Sequence, residues 1–179
     1  MLNSRNLLQL LKEGKFKGLE GSEIRADIPI AQSLINRFLQ EKVKSNHRLN
    51  HLQVRLPGNN RMVVELGAQV PAVFGIKVPV NREIHLRLEP KIDFPADPIL
   101  LLYIEQGLSG LDRTFINWFE KSISEMVPGQ FSLERHVIAL HIGTLLKELN
   151  FGFLIDFIRE ASLVGNKEQL LFHALIRIN

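Results

Sequence analysis

HLQVRLPGNNRMVVELGAQV, residues 51–70, alternates apolar and polar side chains on either side of one turn. Leu52, Val54 and Leu56 alternate with His51, Gln53 and Arg55. Beyond the turn, Met62, Val64, Leu66, Ala68 and Val70 continue the alternation. A period of two puts every second side chain on the same face of a strand. Pro57-Gly58-Asn59-Asn60 is rich in the residues that reverse a chain. The stretch therefore predicts a β-hairpin with one apolar face.

The pattern continues outward. Phe74, Ile76, Val78 and Val80 predict a further strand, with a turn at Val80–Glu83. Ile84, Leu86, Leu88, Pro90, Ile92 and Phe94 then face one way, and Glu83, His85, Arg87, Glu89, Lys91 and Asp93 the other. As one strand this segment reaches roughly 35–40 Å. Pro90 has no N–H to give a ladder, so it belongs at an edge or a bulge. Ile99–Ile104 predicts another strand. Upstream, Ile24, Ala26, Ile28 and Ile30 alternate with charged residues. From Ala31 the spacing turns helical, with Ala31, Leu34, Ile35, Phe38 and Leu39 on one side and Gln32, Arg37, Gln40 and Lys44 on a polar face.

Residues 111–127 predict a second helix, with Leu111, Phe115, Trp118, Phe119, Ile123 and Met126 on a wide stripe and Pro128-Gly129 ending it. A strand with Ile138, Leu140 and Ile142 and a short helical turn from Gly143 follow. The last segment, Phe157–Ile178, predicts a hairpin turning at Gly165-Asn166-Lys167. The chain divides into an N-terminal helix and loop, residues 1–22, and one α+β domain, residues 23–179. Long one-faced strands must cover their apolar side, and long sheets twist. The expected fold is α+β: a highly curved, long-stranded antiparallel sheet wrapped around the long amphipathic helix at 111–127.

Composition narrows the function classes. Hydrophobic residues make up 45% and charged residues 23%, ordinary for a globular chain, which argues against disorder. The net charge of +3 is spread out, with only loose basic clusters at Lys12–Lys17 and Lys42–Arg55, so a nucleic-acid partner is not expected. With no cysteine, disulfides, thiolate nucleophiles and cysteine metal sites are excluded. No stretch approaches the ~18 apolar residues of a membrane span, and the start is not that of a signal segment. The expected compartment is cytoplasmic, or exported if a signal has been removed.

Catalytic signatures are weak throughout. His47 and His51 are four apart, but no Glu follows His47, and Asn46–His51 reads as a loop entering a strand. His136 and His141 are five apart in a strand and face opposite ways, and His85 and His173 read as exposed. Ser109, in Gly107-Leu108-Ser109-Gly110, lacks the spacing of a nucleophile elbow and suits a helix cap. Gly18–Gly21 lacks the spacing and the Lys of a phosphate loop. Asp93 and Asp97 flank a turn. No metal and no cofactor are expected, and the chain reads as a non-enzyme, with an enzyme of unknown class as an alternative.

The sequence of elements resembles the tubular lipid-binding superfamily: strand into amphipathic helix (Ile24–Leu39), meander (Leu52–Phe94), aromatic helix (Leu111–Met126) and closing hairpin (Phe157–Ile178). The resemblance covers most of the chain and rests on a pattern of elements, not on a fixed motif. It implies strands that wrap a helix and hold a lipid or other long apolar molecule against the inner face. The facing apolar surfaces give the expected ligand contacts: Met62, Leu66, Ile76, Leu86 and Leu88 from the sheet, and Phe115, Trp118, Phe119 and Ile123 from the helix. The expected partner is a lipid or apolar small molecule, with peripheral contact to an anionic membrane also open. The other alternative is a ligand-free interaction or assembly module.

Overall fold

The computed structural model describes residues 21–44, 46, 48–71, 77–107, 113–126, 129–134, 136–148 and 152–178. The N-terminal helix expected before Gly14, as well as Phe74 and Ile76, lie outside them. The fold is α+β with antiparallel pairing throughout. The elements run β1 (Glu23–Ala31), α1 (Gln32–Lys44), β2 (Leu49–Gly58), β3 (Arg61–Pro71), β4 (Lys77–Leu88), β5 (Lys91–Ile92), β6 (Ile99–Gln106), α2 (Arg113–Met126), β7 (Phe131–Glu134), β8 (Val137–His141), α3 (Ile142–Glu148), β9 (Ile158–Asn166) and β10 (Gln169–Arg177). One sheet has four strands in the order β1-β10-β9-β5; the other has six, in the order β2-β3-β4-β6-β8-β7.

The central hairpin forms as its alternation predicts. Leu52 pairs with Leu66 and Val54 with Val64. Asn59 and Asn60 both take positive φ, 53° and 56°, as a two-residue hairpin turn that matches strand twist requires. Asn is one of the few residues that adopts this conformation cheaply.

Two boundaries move. The turn expected at Val80–Glu83 is absent, because those residues pair with Ala68, Gly67, Leu66 and Glu65 in an unbroken ladder that runs to Pro71↔Lys77. A turn-prone tetrapeptide inside a long ladder is overridden by its cross-strand partners. The long strand expected at 83–94 is divided instead. β4 ends at Leu88, and β5 pairs with β9 in the other sheet, Lys91↔Ser162 and Ile92↔Ala161. Pro90 sits at this crossing, where it gives no N–H and its carbonyl accepts from Leu163 N–H at 2.7 Å. The alternation survives the crossing: Ile84, Leu86, Leu88, Ile92 and Phe94 are all buried, and Arg87 and Lys91 are exposed. The strands read as one meander thus serve two sheets.

Smaller differences are local. β7 precedes the strand that was expected after α2, and Ile142 begins α3 instead of ending β8. The last hairpin turns at Lys167–Glu168, between the paired Asn166 and Gln169, with Glu168 at φ 61°. Ala31 closes β1, and α1 begins at Gln32.

Hydrogen bonds between turns fasten the two sheets together. Asn60 N–H donates to the Gly165 carbonyl (3.0 Å), and Gly165 N–H donates to Asn60 Oδ1 (2.8 Å). Glu168 N–H donates to the Leu56 carbonyl (2.9 Å), while its own carbonyl accepts from Gln32 N–H (2.9 Å) within the four-stranded side. One cluster of buried apolar residues draws on both sheets and on α2, including Leu52, Leu66, Leu88, Phe119, Ala161 and Leu170.

α1 covers the outer edge of β2 with side-chain amides. Asn36 Nδ2 donates to the Val54 carbonyl (2.9 Å), and Val54 N–H donates to Asn36 Oδ1 (2.7 Å). Leu56 N–H donates to Gln32 Oε1 (2.6 Å). Two amides four residues apart stand in for a neighbouring strand and blunt an edge that would otherwise invite pairing. Gln32, expected on a solvated face, is therefore an edge cap.

Candidate functional site

The residues expected to hold an apolar ligand fall into two groups. On the six-stranded sheet Leu66, Leu86 and Leu88 are deeply buried, and Met62 is half-buried on the same face of β3 as Leu66. Met62 and Leu86 are direct cross-strand partners. On α2, Trp118 and Phe119 are buried and Ile123 is half-buried against the same core. Ile76 and the side chain of Phe115 lie outside the described residues. The core brings the two groups into one cluster. Among the described residues, this cluster packs the two groups directly against one another.

α2 is tied to β7 on one side and to the segment entering β2 on the other. Phe119 meets Phe131 of β7 edge to face, with ring centroids 6.4 Å apart. Asn46 Nδ2, just before β2, donates to the Ser122 carbonyl (3.2 Å), and Arg48 Nε pairs with Glu125 Oε2 at 3.0 Å. Ser122 Oγ itself donates back to the Trp118 carbonyl at 2.8 Å, a bond that lets a hydroxyl be fully buried.

The inner face of the sheet outruns its packed core. Val70 and Val80 are half-buried, and Val78 is 44% exposed. Apolar side chains also remain open where β1 meets α1: Ile28 is 50%, Leu34 54% and Phe38 45% exposed. The expected apolar stripe of α1 is thus shared: Ile35 and Leu39 pack on the core, joined there by Val43, while Leu34 and Phe38 face solvent.

A separate concavity among the described residues is polar. An open cleft of about 680 Å3 lies over the outer face of the four-stranded sheet. Register sets Asp27, His173, Ser162 and Lys91 in one row across its four strands. His173 Nδ1 is 2.6 Å from Asp27 Oδ1. Three cations (Arg25, Lys91, Arg159) meet three carboxylates (Asp27, Asp93, Glu160), so the lining is charge-balanced apart from His173. Such a surface suits ions and water, not an acyl chain. The sequence placed Lys91, His173 and the charged residues of β1 outside; the alignment of the row, Ser162 included, depends on register, which no single strand encodes. On the outer face of the other sheet, Arg55 bridges Glu65 and Glu83. The Glu65 hydrogen bond first, with the charges of both carboxylates, holds its guanidinium above the ordinary value.

The remaining candidates separate. His51 is exposed on β2, His85 lies 3.3 Å from Glu83 Oε1, and His47 is outside the described residues. Asp93 and Asp97 flank a turn, with Asp97 N–H donating to the Asp93 carbonyl at 2.9 Å. Among the described residues no helix is long and apolar enough to cross a membrane. No protein-family model, curated protein or solved structure matches the chain.

Proposed function

We propose that this protein is a non-enzymatic binder of a lipid or other long apolar ligand, held between the six-stranded sheet and α2, with the sheet curled around that helix. The observation that carries this is that one helix is tied both to β7 and to the segment entering β2, the two outer strands of one sheet. The outer strands of a flat six-stranded sheet lie five spacings, about 24 Å, apart. Yet Phe119 meets β7 while Ser122, less than a turn along, meets the segment entering β2. A helix is only about 10–12 Å across, so curling of the sheet around α2 accounts for both contacts.

Met62, Leu66, Leu86 and Leu88 on the strands and Trp118, Phe119 and Ile123 on the helix are the proposed ligand contacts; Ile76 and Phe115 are proposed from sequence. Their close packing means that a ligand enters by parting α2 from the sheet, not by filling a standing void. Each methylene so covered contributes about 0.8 kcal/mol. A site of this kind needs apolar area and a movable cover, which is why no catalytic motif marks it.

Native mass spectrometry of gently purified protein, with uptake of a fluorescent fatty acid or phospholipid, tests the proposal. Co-purified lipid or saturable uptake supports it. A protein that carries none and takes up none ends it, and leaves the ligand-free interaction module, which the close packing of Leu66, Leu86 and Leu88 favours.

A further inference from the structure

We propose that α1 docks this protein on anionic lipid bilayers, with Leu34 and Phe38 entering the interface. The inference rests on the ligand-binding reading only for the purpose of docking; the surface belongs to α1 alone.

Leu34 and Phe38 are four residues apart, so they lie one above the other on a single stripe of the helix. Both are about half exposed. The fold does not use that stripe: Ile35, Leu39 and Val43 anchor α1 to the core, and Gln32 and Asn36 bind it to the edge of β2. The helix therefore has one apolar side spent on folding and a second left open.

Charge distinguishes the occupant. α1 carries Arg37, Lys42 and Lys44 against Glu41, a balance of three cations to one anion, and has no acid in its first turn. Lys42 Nζ lies 5.5 Å from the centre of the Phe38 ring. That contact keeps a cation beside the exposed ring, as cations flank apolar side chains at an anionic lipid surface. Size points the same way. Even with Ile28 counted, three half-exposed side chains fall far short of the roughly 800 Å2 per partner of a stable protein interface. Adsorption to an anionic surface needs only a few apolar side chains with cations around them.

Co-sedimentation with phosphatidylcholine vesicles, with and without about 30 mol% phosphatidylserine, tests the proposal. The full chain is expected to bind the anionic vesicles, to bind the neutral ones weakly, and to be released as salt rises. Removing Arg37 or Lys42 as R37Q or K42Q should weaken binding about fivefold each. The double variant Leu34→Ser/Phe38→Ser should lose most of the binding while its thermal midpoint stays near wild type. Wild type that ignores anionic vesicles, or a folded double variant that binds them normally, overturns the inference. Concentration-dependent dimerisation in sedimentation velocity that is abolished in the double variant also overturns it, by assigning the stripe to a second copy. Fatty-acid uptake from solution, measured on the same variants, separates the two proposals: docking predicts that it is unchanged in the double variant, and vesicle binding by a wild type that takes up no fatty acid leaves docking standing alone.

Discussion

Asn36 shows how much one side chain contributes at an edge. Its amide completes both the N–H and the carbonyl of buried Val54. Asn36→Ala should cost about 1–3 kcal/mol in urea denaturation, because a buried polar pair loses its partner. Gln40→Ala, one turn further along and exposed, should change stability by less than about 0.5 kcal/mol. Equal effects would show that helix propensity, not edge capping, is being measured. Gly107 is constrained differently: its φ is +102°, and a Cβ there would collide with the Glu83 carbonyl. Gly107→Ala should cost more than about 2 kcal/mol by the same measurement. Trp118 is the chain's one tryptophan and is buried. Its native emission should be blue-shifted, and Trp118→Ala should destabilise by roughly 3–5 kcal/mol. An emission like that of free tryptophan would place the α2 stripe in water.

At the scale of elements, the hairpin turns do more than reverse the chain. The Asn59-Asn60 turn docks on β9, where Gly165 lets the two backbones approach; a Cβ on Gly165 would sit 3.0 Å from Asn60 Cα. Gly165→Ala should therefore loosen the join between the sheets and cost about 1–3 kcal/mol. Hydrogen exchange should show the loss of protection at the Asn60 and Glu168 amides together, since both bonds cross the same join. Loss confined to β9 and β10 would mean that the hairpins are not coupled through their turns. The division of the 83–94 segment belongs to this scale too. Its alternation was legible from end to end, but the change of sheet at Pro90 was not. A period of two records which side faces the core, not which sheet supplies the neighbour.

For the molecule as a whole, the decisive question is whether the interior opens. Ala68 on β3 and Ala174 on β10 are both buried on core-facing registers. Phe at either position should cost about 1–3 kcal/mol by overpacking. If the interior parts to admit a ligand, Ala68→Phe should also reduce fatty-acid uptake by more than its stability loss explains. Uptake that tracks stability alone would count against a site beside Ala68. Parting of α2 should further move Trp118 emission when fatty acid is added; saturable uptake with an unchanged spectrum would place the ligand elsewhere.

What the sequence determined by itself was local and periodic. Strand alternation marked Leu52, Val54, Leu66, Ile84, Leu86 and Ile92 as core, and helical spacing marked Trp118 and Phe119. Those patterns follow from the geometry of isolated strands and helices. The tertiary structure decided what depends on neighbours distant in sequence: two sheets instead of one, the ladder that overrode a turn at Val80–Glu83, and the amides of Gln32 and Asn36 set against β2. It also decided that α1 would spend only half of its apolar stripe on the core, leaving Leu34 and Phe38 outside. A helix encodes the width of its apolar face, but only the packed partner fixes how much of that width is covered.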